Sequence, residues 1–154
     1  MNPLYVREVM SNRVRQLGCR IAALSKRADA YAKMQSEIIT VHLLGGDIGP
    51  DDDDVSVHQK AVKATRMLMF STGARGFDWD HTPKPRFSFR TPKPRRKIII
   101  TLEPNDTYTV EIIQPGVMRP GSTQDKTLDT IRGVAAEQLK RKVEKALGLF
   151  FTLR

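Results

Sequence analysis

Hydrophobic positions near the start of the chain recur in steps of four and three: Met10, Val14, Leu17, Ile21, Leu24, Ala28, Tyr31 and Ile38, with polar Gln35 the one break. This is the heptad seam of a helix that packs against another helix. Asn2 and Pro3 supply an N-cap and a proline tolerated at the first helical position, and Gly45 and Gly46 supply the stop. Unbroken from Pro3 to Leu44, such a helix is a rod of roughly 60 Å, whereas a compact chain of this length has a radius of gyration of roughly 15 Å. The pattern therefore predicts a long N-terminal helix that either bends at Gly18 or projects and pairs. Met10, Val14, Leu17, Ile21, Leu24 and Tyr31 are its candidate self-association residues, and a homo-oligomer, in the simplest case a homodimer, is the expected assembly.

Asp51 to Asp54 come next, placed where the positive end of a helix dipole accepts acids, followed by Val57, Ala61, Ala64 and Leu68 at helical spacing. The run reads as an N-terminal cap rather than a metal site. It predicts a second helix from about Asp53 to Phe70, able to fold back on the first as a hairpin.

Helical periodicity then disappears from Gly73 to Lys97. Pro83, Pro85, Pro92 and Pro94 forbid helix there. The stretch contains an echo, Thr82-Pro83-Lys84-Pro85-Arg86 and Thr91-Pro92-Lys93-Pro94-Arg95, and between the copies Phe87-Ser88-Phe89 alternates as a short strand does. Ile98, Ile100 and Leu102, a turn at Glu103-Pro104-Asn105-Asp106, and Tyr108, Val110 and Ile112 predict a β-hairpin with one apolar face. Ser122 and Asp125 resemble a capping pair before a final helix whose stripe is Leu128, Ile131, Ala135, Leu139, Val143, Leu147 and Phe150.

The expected fold is α+β: a long N-terminal helix, as helical hairpin or coiled coil, then a small antiparallel sheet of two or three strands covered by a C-terminal helix. Its regions are 1–72 helical, 73–97 a proline-rich basic arm, and 98–154 hairpin plus helix, with the first and last forming one globular unit.

Charge changes this picture from architecture toward function. The 154 residues carry 26 Lys plus Arg against 17 Asp plus Glu, a net charge of +9, and residues 81–97 alone contribute +7 without a single acid. That arm holds Lys84, Arg86, Arg90, Lys93, Arg95, Arg96 and Lys97, like charges that repel one another unless an anion joins them. Five of the ten aromatic residues, Phe70, Phe77, Trp79, Phe87 and Phe89, lie in or beside it. Cations interleaved with rings suit phosphate neutralisation with base stacking. Arg75, between Gly73 and Gly76, adds a contact, and Trp79 is the candidate stacking ring, while Phe87 and Phe89 are as readily core residues beside Ile98 and Ile100.

Chemistry finds less support. His42, His58 and His81 fall in no metal-ligand spacing, and Asp78, Asp80 and His81 read as a polar loop beside the arm. No phosphate-binding glycine loop or nucleophile elbow is present, and Cys19 reads as a small apolar residue inside the first helix. The single cysteine excludes an internal disulfide. From the charged N-terminus and the lack of any long apolar run, neither a secretory signal nor a membrane span is expected. The expectation is a non-enzyme of the cytoplasm, reducing and intracellular, without cofactor, metal or membrane partner.

Two functions follow from this reading. The first is a DNA- or RNA-binding protein of low sequence specificity, using Arg75, Trp79, Lys84, Arg86, Arg90, Lys93, Arg95, Arg96 and Lys97 and self-associating through its first helix. The second is an assembly, adaptor or inhibitor protein, of the kind a virus or mobile element encodes, whose arm addresses an acidic protein partner.

Overall fold

The computed structural model describes residues 31–117, 121 and 124–151. The chain divides into two compact units, Met1–Ala32 and Lys33–Arg154; of the first, Tyr31 and Ala32 alone are described, and the second contains the sheet and its covering helices. The elements are helix α1 (31–43), helix α2 (Asp54–Thr72), strands β1 (Arg75–Asp80), β2 (Arg86–Pro92), β3 (Arg95–Leu102), β4 (Tyr108–Gln114) and β5 (Lys126–Val134), and helix α3 (Ala136–Leu147). The strands form one antiparallel meander in the order β1-β2-β3-β4-β5.

The expected fold needs correcting in three places. The first described helix is 13 residues, about 20 Å long, where the pattern predicts a rod of roughly 60 Å. The sheet has five strands, not two or three. Residues 126–134 are a strand rather than the opening of the last helix. In that segment Leu128 and Ile131 mimic a helical step, but Thr127, Thr130, Ile131 and Val134 are β-branched and pair along the free edge of β4. Asp125 caps no helix; its carboxylate accepts the backbone N–H of Gly116 at 2.7 Å. The seam residues Met10, Val14, Leu17, Ile21 and Leu24, like Cys19, lie outside the described residues, and Tyr31 is exposed.

The second helix follows its local chemistry. Asp53 is the N-cap and accepts the N–H of Ser56, while Gly73 closes the other end at φ 73°, a left-handed conformation that glycine adopts without steric penalty. Asp52 is held by Lys60, whose Nζ donates to it at 2.7 Å, and by Ser56 and the Gly49 N–H; together these draw its carboxyl down to about 2. The acidic run thus serves the helix entrance.

The three described helices cover one face of the sheet. Ile39 and Leu43 from α1, Leu68 from α2, and Leu139, Val143 and Leu147 from α3 share one core with Phe87, Phe89, Ile98, Ile100 and Val110. Two polar contacts pin the sheet to α1. The Trp79 indole N–H donates to Thr40 Oγ1 at 2.9 Å, and His42 Nδ1 lies 2.7 Å from the Tyr108 hydroxyl. Phe151 closes the same core, edge-on to Phe89, with its N–H held by Glu144 and its carbonyl by Ser71. Opposite, the sheet's outer face carries no helix among the described residues. Ser88, Ile99, Thr101, Thr109 and Glu111 there are partly exposed.

Candidate functional site

The basic arm is the central hairpin of this sheet. Prolines mark its ends: Pro83 and Pro85 lie in the β1–β2 connection, and Lys93-Pro94 form the two-residue turn between β2 and β3. Counting outward from that turn sets the register. Pro92 faces Arg95, Thr91 faces Arg96, Arg90 faces Lys97, Phe89 faces Ile98 and Phe87 faces Ile100. Because side chains alternate between faces, Phe87, Phe89, Ile98 and Ile100 point to the helices, and Arg86, Ser88, Arg90, Arg95 and Lys97 point outward.

The neighbouring strand extends the outward set, since Arg75 of β1 faces Arg90 of β2. Three cations therefore stand side by side across three strands, Arg75, Arg90 and Lys97, and like charges directly opposite one another destabilise a sheet. Lys93 at the turn, with Arg95 and Arg96 just beyond it, forms a second rank at the same end. No carboxylate lies within 4.0 Å of any of these six among the described residues. Arg95 and Arg96 instead donate to backbone carbonyls, those of Gly116 at 3.3 Å and Arg95 at 2.8 Å. Between them opens a cleft of ≈ 580 Å³ lined by Arg75, Arg90, Thr91, Pro92, Arg95 and Arg96. A smaller one of ≈ 280 Å³ adjoins it and brings Lys126 of β5 to the same end.

The opposite end of the hairpin is neutralised. Lys84 Nζ donates to Glu103 at 2.6 Å and Arg86 Nη2 to Asp80 at 2.6 Å. Asp80 is held below its ordinary value by the Thr82 N–H and by Arg86, and Glu103 by Lys84 and the Thr109 hydroxyl. Of the seven cations of the arm, these two are thus committed within the chain, while the other five join Arg75.

The rings lie elsewhere. Phe77 stacks on Phe87 at 6.1 Å, and Trp79 lies 5.4 Å from Phe87, half-buried, with its N–H on Thr40. The structure places Trp79 and the phenylalanines of β1 and β2 on the helix-covered face, so rings and cations that are neighbours in sequence stand back to back. Among the described residues no three His, Cys, Asp or Glu side chains cluster as a metal site does. No helix among them is long and apolar enough to cross a membrane.

No family model, curated protein or solved structure matches this chain. What the site does must be read from its own geometry. Two of its features escaped sequence reasoning: the alignment of Arg75 with Arg90 and Lys97, and the arrival of Lys126. The first had a partial signal, since Arg90 and Lys97 are equidistant from Lys93-Pro94. Lys126 had none, because its strand carries a helical pattern.

Proposed function

We propose that the protein binds nucleic acid with low sequence specificity through the cationic end of its sheet. Arg75, Arg90, Lys93, Arg95, Arg96 and Lys97 neutralise backbone phosphates there. The observation that supports this most is the cross-strand row Arg75–Arg90–Lys97 with no carboxylate partner among the described residues, an arrangement that costs folding energy and is relieved by an external polyanion. A phosphate backbone supplies that relief without requiring base-edge contacts, so specificity is weak. Lys84 and Arg86 take no part in this reading, being paired with Glu103 and Asp80. A reducing, cytoplasmic setting goes with it, in keeping with a single cysteine.

The test is titration of fluorescent oligonucleotides at low salt. Reversing Lys93, Arg95 and Arg96 to Glu abolishes binding while leaving helicity unchanged; replacing Lys84 and Arg86 with Gln leaves affinity nearly intact. Retained binding by the triple variant refutes the assignment. Failure of the unaltered protein to bind any oligonucleotide refutes the function itself, and the same cations then point to an acidic protein.

A further inference from the structure

We infer that the ligand of this site is a double-stranded nucleic acid, gripped across a groove, rather than a single strand; the inference rests on the nucleic-acid reading above. Three observations carry it. The first concerns rings. Single-strand binders hold bases by stacking them on exposed aromatic side chains, and here Phe77, Trp79, Phe87, Phe89 and Tyr108 all belong to the helix-covered face. Among the described residues the outer face offers a base no aromatic ring of the sheet: beside the cations it carries Ile99, Ile113, Ser88 and threonines, with the carboxylates of Asp78 and Glu111 in the next row. The exposed rings among the described residues, those of Tyr31, Phe70 and Phe150, belong to helices or their ends and not to the sheet.

The second observation is the arrangement of charge in two ranks. Arg75, Arg90 and Lys97 form one, perpendicular to the strands. Arg95, two residues nearer the hairpin turn than Lys97 and on the same outward face, forms the other with the turn residue Lys93, which puts the ranks about 7 Å apart at the rise of a strand; Arg96, opposite inward-facing Thr91, stands on the helix-covered side. A row of three cations with a shorter second rank at that separation matches two phosphate backbones flanking a minor groove about 6 Å wide better than it matches one chain.

The third observation is density. Neighbouring strands are about 4.8 Å apart, so a row of three cations covers about 10 Å. Over that length a duplex presents about six charges and one stacked strand about three. Six cations with no carboxylate partner among the described residues, gathered at one end of the sheet, suit the denser ligand. The cleft lined by Arg75, Arg90 and Arg95 lies between the two ranks, so that Arg75 and Arg90 would meet one backbone while Arg95 and the turn residue Lys93 reach the other.

The experiment compares a duplex of about two helical turns, as DNA and as RNA, with unstructured single strands of equal length in the same low-salt buffer. The duplex is expected to bind at least about tenfold more tightly, in line with its doubled charge density. Trp79, the only tryptophan of the chain, gives an independent readout: its fluorescence should be unchanged at saturation because its ring is not at the interface. Equal or tighter binding of the single strand, or strong quenching of Trp79 on adding it, overturns the duplex assignment while leaving nucleic-acid binding intact. Failure of every oligonucleotide to bind removes the underlying function instead.

Discussion

His42 shows how one residue ties stability to solution conditions. Its ring sits between α1 and β4, with Nδ1 2.7 Å from the Tyr108 hydroxyl, in a T-shaped contact at 5.8 Å. Burial holds its affinity for a proton below the ordinary value of 6.5, against the opposing pull of Asp47 and Glu137. Burial likewise drives the Tyr108 hydroxyl well above its usual range, so both partners are neutral at physiological pH. An unfolded chain takes up the histidine proton near 6.5 and the folded chain only at lower pH, so the unfolded state binds more protons in between. Stability is therefore full above about pH 6.5 and declines as the pH falls through the folded value. Urea midpoints measured at about pH 7.5 and about pH 5.5 should differ in the unaltered protein, and the difference should shrink in His42→Asn. An undiminished difference in that variant would assign the effect to another group.

Among the elements, the β2–β3 hairpin carries opposing demands. Its inner residues build the core, with Phe87, Phe89, Ile98 and Ile100 fully buried, and its outer residues set like charges side by side. If that row is kept for a ligand, relieving it should favour folding at the expense of binding. Arg90→Glu places an acid between Arg75 and Lys97, turning two repulsive cross-strand pairs into two attractive ones. The expected gain is about 0.5 kcal/mol of stability by urea denaturation, accompanied by a loss of oligonucleotide affinity. A variant that binds less and is also less stable would indicate simple damage to the hairpin. The alternation of Phe87-Ser88-Phe89 and of Ile98 to Leu102 made these strands legible in the sequence, because a two-residue period has one structural meaning. β5 was not legible: Leu128, Ile131 and Ala135 fit a helical stripe equally well, and what decides between the two is the unsatisfied edge of β4, a tertiary fact. β1 was missed for a related reason, since Gly76 interrupts its short pattern and its pairing shifts register between Arg75 and Asp78.

For the whole molecule, the excess of +9 matters less than where folding puts it. The sequence located the charge in residues 81–97, and the sheet then divides it, leaving Lys84 and Arg86 neutralised at one end and adding Arg75 and Lys126 at the other. α3 contributes Arg141, Lys142 and Lys145, but its helix packs on the covered face, so these cations address the opposite side of the protein. This division makes a quantitative claim about ionic strength. If about five of the six cations at the sheet's end displace counterions from a duplex, log affinity should fall with log salt concentration at a slope near about −4.5. Replacing Lys93 and Arg95 with Gln should bring the slope up by about two units, roughly 0.9 for each lost phosphate contact. The same substitution at Arg141 and Lys142 should leave it unchanged, although it removes the same net charge from the molecule. Slopes that shift equally in both variants would mean that the oligonucleotide responds to total charge, and that the aligned row across β1, β2 and β3 has no special part in binding.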